Sequence, residues 1–142
     1  MSSVPLHYVD VRAFCYVTED EQRVENALGQ LLPAEYELDR AESEGHYGDP
    51  ILVLSARVES EAGMQAVLDG LGALPDDERD RLRGELDERV DEDCSFFVSL
   101  DKQAAAGDEL RLGEGISLRA KVEAYPAKRG SAIDALESTG VL

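Results

Sequence analysis

The chain has 142 residues, a length typical of one domain built around one hydrophobic core. Its formal net charge is −17, but 43% of its residues are apolar, which argues against intrinsic disorder. No segment approaches the ~20 apolar residues of a membrane helix, and the first ten residues lack a signal-peptide core. We therefore expect a cytoplasmic protein with a single domain over residues 1–142.

Arginine dominates the basic residues, since the only lysines are Lys102, Lys121 and Lys128. A folded, acidic and lysine-poor chain is typical of an extreme halophile, where high net charge keeps proteins soluble in molar salt. At about 1 M salt the Debye length is only ~3 Å, so the net charge would hardly repel a nucleic acid. The acidity therefore does not exclude RNA as a partner.

The first half of the chain predicts three strands and two helices. The stretch "HYVDVRAFCYV" (7–17) alternates with one fully apolar side, which is typical of a strand, and Thr18 is expected to cap the helix that follows. "EYELDRAES" (35–43) and "PILVLSARVES" (50–60) predict the next two strands. Ser60 is placed to cap the second helix.

The second half predicts two further strands and three helices. A strongly acidic helix begins near Pro75, "CSFFVSL" (94–100) is a strand, and Asp101 caps a short helix after it. "ISLRAKVEAY" (116–125) is the fifth strand, and a helix from about Gly130 to Ser138 closes the chain. Cys15 and Cys94, each inside an apolar strand, are expected to be buried free thiols. The pattern predicts an α+β fold: a two-layer sandwich with a mixed sheet of about five strands and helices on one face.

Such a fold leaves the other side of the sheet uncovered. If the apolar sides of the first and fifth strands face the helices, their opposite sides carry aromatic and basic residues, namely Tyr8, Arg12, Phe14, Tyr16, Arg119, Lys121 and Tyr125. Unpaired RNA bases stack on aromatic rings and guanidinium planes. The alternative is an ordinary half-covered sheet face with cross-strand pairs.

Basic residues outnumber acidic ones, six to four, between Lys102 and Arg129. A positive segment in an otherwise acidic chain indicates an anionic ligand. Lys102 and Gln103 begin the short helix after Asp101, and "YPAKR" (125–129) brings Lys128 and Arg129 to the end of the fifth strand. The alternative is that these cations only pair with neighbouring carboxylates.

The heptad "EGHYGDP" (44–50) separates the second and third strands. Gly45 and Gly48 suit a tight connection, and His46 and Tyr47 would then be presented for stacking or hydrogen bonding. The alternatives are a plain turn and a metal-assisted hydrolase built on His46. No phosphate loop, paired-cysteine knuckle or serine elbow is present, so we expect no enzyme activity, no metal and no cofactor.

Three motifs, "EGHYGDPI" (44–51), "LDKQAA" (100–105) and "AYPAKR" (124–129), give the chain a family resemblance. From about His7 to Ser138 it resembles the archaeal RNA-binding proteins described as predicted exosome subunits, whose fold is like that of ribosomal protein L-five. The resemblance implies RNA-related sites in all three motifs and supplies no catalytic residue. At Asp49 the chain departs from the asparagine expected in many relatives.

We therefore expect a non-catalytic RNA-binding protein that acts with archaeal RNA-processing, exosome or ribosome machinery, and no DNA partner. Tyr47, Phe14 or Tyr125 would stack on bases, and the loop from Gly45 to Gly48 would approach the ligand. Phosphates would be held by Arg119, Lys121, Lys128 and Arg129. The alternative is a protein-interaction module of an RNA-processing assembly, supported by the acidic helix from Pro75.

Overall fold

Within the residues that the structure describes, the fold contains five strands and six helices. A computed structural model describes residues 4–33, 35–44 and 48–141. The strands are β1 (Leu6–Cys15), β2 (Asp39–Glu44), β3 (Pro50–Val58), β4 (Ser95–Asp101) and β5 (Gly115–Val122). The helices are α1 (Glu21–Gly29), α2 (Glu61–Gly72), α3 (Asp76–Gly84), α4 (Leu86–Arg89), α5 (Lys102–Ala106) and α6 (Arg129–Glu137).

The strands form one sheet in the order β2-β3-β1-β5-β4. All four pairings are antiparallel, with Asp10 opposite both Arg57 and Arg119, and Phe97 also opposite Arg119. The α+β class with a five-stranded sheet is confirmed. The expectation of a mixed sheet is wrong, because each strand lies beside neighbours of opposite direction.

The hydrophobic core lies between one face of the sheet and the helices. The alternating residues Val9, Val11 and Ala13 of β1 are almost fully buried, and so are Leu28 of α1 and Leu82 of α3. These belong to one continuous cluster that includes residues from every helix. Cys15 and Cys94 are buried and free, as predicted.

Side-chain caps begin three of the helices. Ser60 accepts from the backbone N–H of Gly63 at 3.0 Å, and Asp101 accepts from Ala104 at 2.9 Å, as predicted. The cap of α1 is Asp20 and not Thr18. The Glu19 N–H donates to the Tyr16 carbonyl and closes a turn that contains Thr18, so the helix starts two residues later than predicted.

Other boundaries also differ from the predicted ones: β1 ends at Cys15 and not at Val17, and β2 begins at Asp39 and not at Glu35. The acidic helix begins after Pro75 as predicted but divides into α3 and α4 at Glu85. The fifth strand ends at Val122, so Tyr125 lies in the segment between β5 and α6 and not on the strand. None of the helices in the described ranges combines the length and apolar character needed to cross a lipid bilayer.

Candidate nucleic-acid interface

The face of the sheet opposite the helices, called the open face below, gathers side chains from all five strands. Its centre is formed by β1 and β5, which are adjacent, so Arg12, Phe14 and Arg119, three of the residues predicted for it, lie on neighbouring strands. It carries Tyr8, Asp10, Arg12 and Phe14 from β1, Ser117, Arg119 and Lys121 from β5, Phe97 and Ser99 from β4, Ser55 and Arg57 from β3, and Asp39 from β2.

Two arginines near the middle of the open face form no ion pair with any residue that the structure describes. Arg12 lies opposite Ser117 and Arg119 lies opposite Asp10, so the two arginines are diagonal neighbours on adjacent strands. The guanidinium of Arg119 is 3.4 Å from the Tyr8 hydroxyl, a long contact. Diagonal positions place the Cα atoms of the two arginines ~7–8 Å apart, and both side chains lie on the uncovered side of the sheet, where an anion can reach them.

A third arginine on the open face is neutralised. Arg57 donates from Nε and one Nη to the two carboxylate oxygens of Asp10, at 2.8 and 3.0 Å, and its guanidinium lies 4.1 Å from the centre of the Tyr8 ring. The hydrogen bonds and the charge of Asp10 raise the pKa of Arg57. Asp10 is therefore satisfied and does not cancel the charge of Arg119 across the strand pair.

These side chains line a shallow cavity of ≈ 680 Å³ in the open face. Its lining includes three arginines against two carboxylates, and the residues are Asp10, Arg12, Asp39, Ser55, Arg57, Phe97, Ser117 and Arg119. With Asp10 and Arg57 paired, the balance of charge in this cavity is positive although the chain as a whole carries −17.

Aromatic rings flank the cavity. Phe14 and Phe97 are 41% and 42% exposed, which is high for phenylalanine. The guanidinium of Arg12 lies 5.6 Å from the centre of the Phe14 ring, within cation–π range. Tyr16, just beyond the end of β1, is 6.5 Å from Phe14 between ring centres. The open face thus combines free cations with accessible rings.

Phe97 and Arg57 were not among the residues predicted for the site. Their strands were predicted correctly, and alternation along "CSFFVSL" indicates that one of its two phenylalanines points away from the core. Only the register places Phe97 beside Arg119 and Arg57 beside Asp10.

Lys102, a predicted RNA contact, is buried. Its ammonium donates to the backbone carbonyl of Phe14 at 2.9 Å and to a carboxylate oxygen of Glu19 at 2.7 Å, and it lies 5.1 Å from the Tyr16 ring centre. Burial alone would raise the pKa of Glu19, but hydrogen bonds from Lys102 and the Tyr16 backbone hold that pKa below its ordinary value. The geometry makes Lys102 a positioning residue for the end of β1.

Gln103, next to Lys102, is exposed and lines a cleft of ≈ 260 Å³ with Thr18, Asp20 and Arg23. Gly48 has φ +81 and open space around its Cα, which suits the turn into β3. Gly45, His46 and Tyr47 lie outside the described residues. Leu52 of β3 pairs with Cys15 of β1, so Gly48 lies at the same end of the sheet as Phe14. The pairing of β4 with β5 places α5 at that end too.

The remaining predicted residues lie at the opposite end of the sheet. Lys121 pairs with Tyr8 in the sheet, and its ammonium donates to the Asp93 carbonyl. With Tyr125, which is 83% exposed, it lines a cleft of ≈ 330 Å³. Lys128 is an exposed residue at the start of α6.

Arg129 is exposed, but its guanidinium is bonded to backbone carbonyls of this chain. Its Nε donates to the Val90 carbonyl at 2.9 Å, and an Nη donates to the Asp87 carbonyl, so it ties α6 to the end of α4. The predicted residues thus divide between the two ends of the sheet, with Arg119 between them.

Comparison with known proteins agrees with these surface features. A family model described as RNA binding matches residues 8–122, from the first open-face tyrosine of β1 to the end of β5. An RNA-binding protein of Pyrococcus abyssi is 34% identical over 139 residues, which cover 92% of this chain and 90% of that protein.

Solved structures share the fold. A DUF54 protein of Methanothermobacter thermautotrophicus is 34% identical with a TM-score of 0.78, covering 94% of this chain and 96% of that one. A DUF54 protein of Archaeoglobus fulgidus is 26% identical with a TM-score of 0.83, covering 96% and 99%. By the family match and the identity to the Pyrococcus protein, the chain belongs to this RNA-binding family.

Proposed function

We propose that this protein binds RNA through the open face of its sheet and catalyses no reaction on it. The observation that carries the proposal is the pair Arg12 and Arg119, which are diagonal neighbours without ion pairs among the described residues. In a chain of charge −17, carboxylates are available to neutralise them, but Asp10, directly opposite Arg119, is bonded to Arg57 instead. An uncompensated pair of guanidinium groups suits a phosphodiester, which accepts bidentate hydrogen bonds from arginine.

Accessible rings support RNA over a simple anion. Phe14 and Phe97 offer exposed aromatic surface on the same face as the arginines. Stacking of bases on such rings, with arginines at the phosphates, is how single-stranded nucleic acid is held without reading every base. Membership in the RNA-binding family points the same way.

Residues at both ends of the open face would extend the contact. At one end we include the loop of Gly45, His46, Tyr47 and Gly48, together with Gln103. At the other end we include Lys121, Tyr125 and Lys128. Lys102 and Arg129 would act indirectly, because their charged groups are bonded within the fold.

We further propose that the RNA is a substrate or component of archaeal RNA-processing, exosome or ribosome machinery, and that the protein works in molar salt. In such salt, phosphate contacts contribute little through counterion release. Stacking and bidentate arginine contacts would then supply most of the affinity. This division of labour agrees with a surface that combines rings and arginines and contains few lysines.

The test is fluorescence anisotropy of labelled single-stranded and hairpin RNAs in molar KCl. We expect the double variant Arg12→Ala/Arg119→Ala to bind at least tenfold more weakly than the unchanged protein. Arg81→Ala is the matched control, since Arg81 is an exposed arginine of α3, on the helical side. Failure of the folded protein to bind either RNA would refute the proposal and favour a module that docks on a protein partner.

A further inference from the structure

The two exposed rings of the open face lie far apart. Phe14 is four residues along β1 from Asp10, and Asp10, Arg119 and Phe97 share one row across β1, β5 and β4. With ~3.4 Å per residue along a strand and ~4.8 Å between strands, the offset is about 14 Å along and about 10 Å across. The Cα atoms of the two phenylalanines are therefore about 17 Å apart.

The two free arginines lie between these rings, on a path that runs along β1 and then across β5 to β4. Arg12 is two residues from Phe14 on the same strand, and Arg119 is next to Phe97 on the adjacent strand. From β1 across β5 to β4, the open face therefore presents four side chains in the order Phe14, Arg12, Arg119 and Phe97: a ring, two cations and a second ring. Arg12 lies close enough to Phe14 for one nucleotide to contact both side chains.

This order and spacing do not fit stacked or paired RNA. Stacked bases are ~3.4 Å apart and present no free faces to a protein surface, whereas unpaired bases can be splayed apart and stacked on aromatic side chains. The separation of about 17 Å is about five times the spacing of stacked bases, so it suits bases about three positions apart in an unstacked, extended strand. The intervening phosphates would pass over Arg12 and Arg119.

We propose that the open face selects an unpaired RNA segment of about four nucleotides, with its outer bases stacked on Phe14 and Phe97 and its inner phosphates on Arg12 and Arg119. This inference rests on the proposed RNA binding and adds the kind of RNA, its length and the role of each nucleotide. No ring stacks on the inner two bases, so any base can occupy those two positions.

The first experiment varies the RNA. Anisotropy is measured in molar KCl with labelled single strands of two to eight nucleotides and with a blunt duplex. Affinity is expected to rise steeply up to about four nucleotides and only gradually beyond that length. In a tetranucleotide, abasic sites at both outer positions are expected to weaken binding roughly 10-fold or more, and abasic sites at the two inner positions to change it by less than about threefold.

The second experiment varies the rings. Phe14→Leu and Phe97→Leu keep apolar side chains but remove the aromatic faces, and each is expected to weaken tetranucleotide binding roughly 5- to 100-fold. Phe97→Tyr keeps the ring and is expected to bind as the unchanged protein does. Circular dichroism and thermal melts verify that each variant is folded.

The outcomes separate this inference from the proposed function. If the duplex binds as tightly as the single strand and the two leucine variants keep their affinity, while Arg12→Ala/Arg119→Ala loses it, RNA binding stands and the unpaired-segment inference is overturned. Equal loss from inner and outer abasic sites would also overturn it. Absence of binding to every RNA refutes the proposed function itself.

Discussion

Replacing Lys102 by methionine isolates the buried contact that holds the ring-bearing end of β1. The side chains of Lys102 and Glu19 are only 10% and 20% exposed, and their ion pair is 2.7 Å long. Methionine keeps the apolar length of the lysine but leaves the Glu19 carboxylate and the Phe14 carbonyl without their donor. Breaking a buried pair from one side costs about 3–5 kcal/mol, and we expect about 2–3 kcal/mol here because Glu19 is partly solvated.

The predicted loss has a pH signature. The pKa of Glu19 is held below its ordinary value in the folded protein, so the pair stabilises the fold above the ordinary pKa, and this contribution disappears as pH falls through the lowered one. Without Lys102, burial dominates and the Glu19 pKa rises. The difference in the free energy of unfolding between the two proteins should therefore be largest near pH 7. It should shrink as the pH falls through the raised Glu19 pKa of the variant and then through the lowered Glu19 pKa of the unchanged protein.

Thermal and denaturant unfolding at several pH values measure this difference. At pH 7 the Tm of Lys102→Met should be lower by about 6–10 °C for a chain of this size. Lys128→Met is the matched control, because that lysine is exposed and its side chain does not cap α6; it should stay within about 0.5 kcal/mol. A Lys102→Met protein as stable as the control, or a gap that does not change with pH, would contradict the assignment of Lys102 as a buried anchor.

Three further predictions concern the cations and glycines around the sheet. In molar KCl, Arg119→Ala should weaken RNA binding by anisotropy more than Lys128→Ala does, since a bidentate arginine depends less on counterion release; the reverse order would contradict this. Arg129→Ala should lower the free energy of unfolding by about 1 kcal/mol, because two carbonyls at the end of α4 lose a donor. The same variant should keep its RNA affinity. Lost affinity in a fully folded variant would show that Arg129 contacts RNA. Gly115→Ala should lower the free energy of unfolding, measured with denaturant, by about 2 kcal/mol or more, because φ is +115 and the new Cβ would lie 2.5 Å from the Cβ of Lys102. Gly130→Ala, in open space on α6, should be neutral or stabilising by up to about 1 kcal/mol. Similar values for the two variants would refute the steric reasoning.

Much of the architecture could be predicted because its signals are local. Alternation over "HYVDVRAFCYV" and "ISLRAKVEAY" marks strands whose apolar side must be buried, and Ser60 and Asp101 cap helices through contacts only three residues away. Thr18 shows the limit of such signals. A turn that was not predicted takes up that residue, and Asp20 caps α1 instead.

The candidate site was predictable only in part, because its geometry depends on pairings between distant segments. Arg12 and Arg119 could be assigned to the uncovered side of their strands, but nothing local shows that β1 and β5 are neighbours. Phe97 and Arg57 were missed for the same reason. Lys102 was expected at the surface, yet it is buried and bonds to Glu19 and Phe14. Arg129 is exposed, but its guanidinium bonds to the carbonyls of Val90 and Asp87.

The amino-acid sequence by itself determined the class of fold, the positions of five strands and the presence of aromatic and basic residues on one side of them, since side-chain periodicity depends on backbone geometry alone. The strand order, the antiparallel register and the burial of each cation were decided by tertiary packing. These features depend on which distant surfaces exclude water from each other, and a shift of one residue in register would turn every ring and arginine of the open face toward the core.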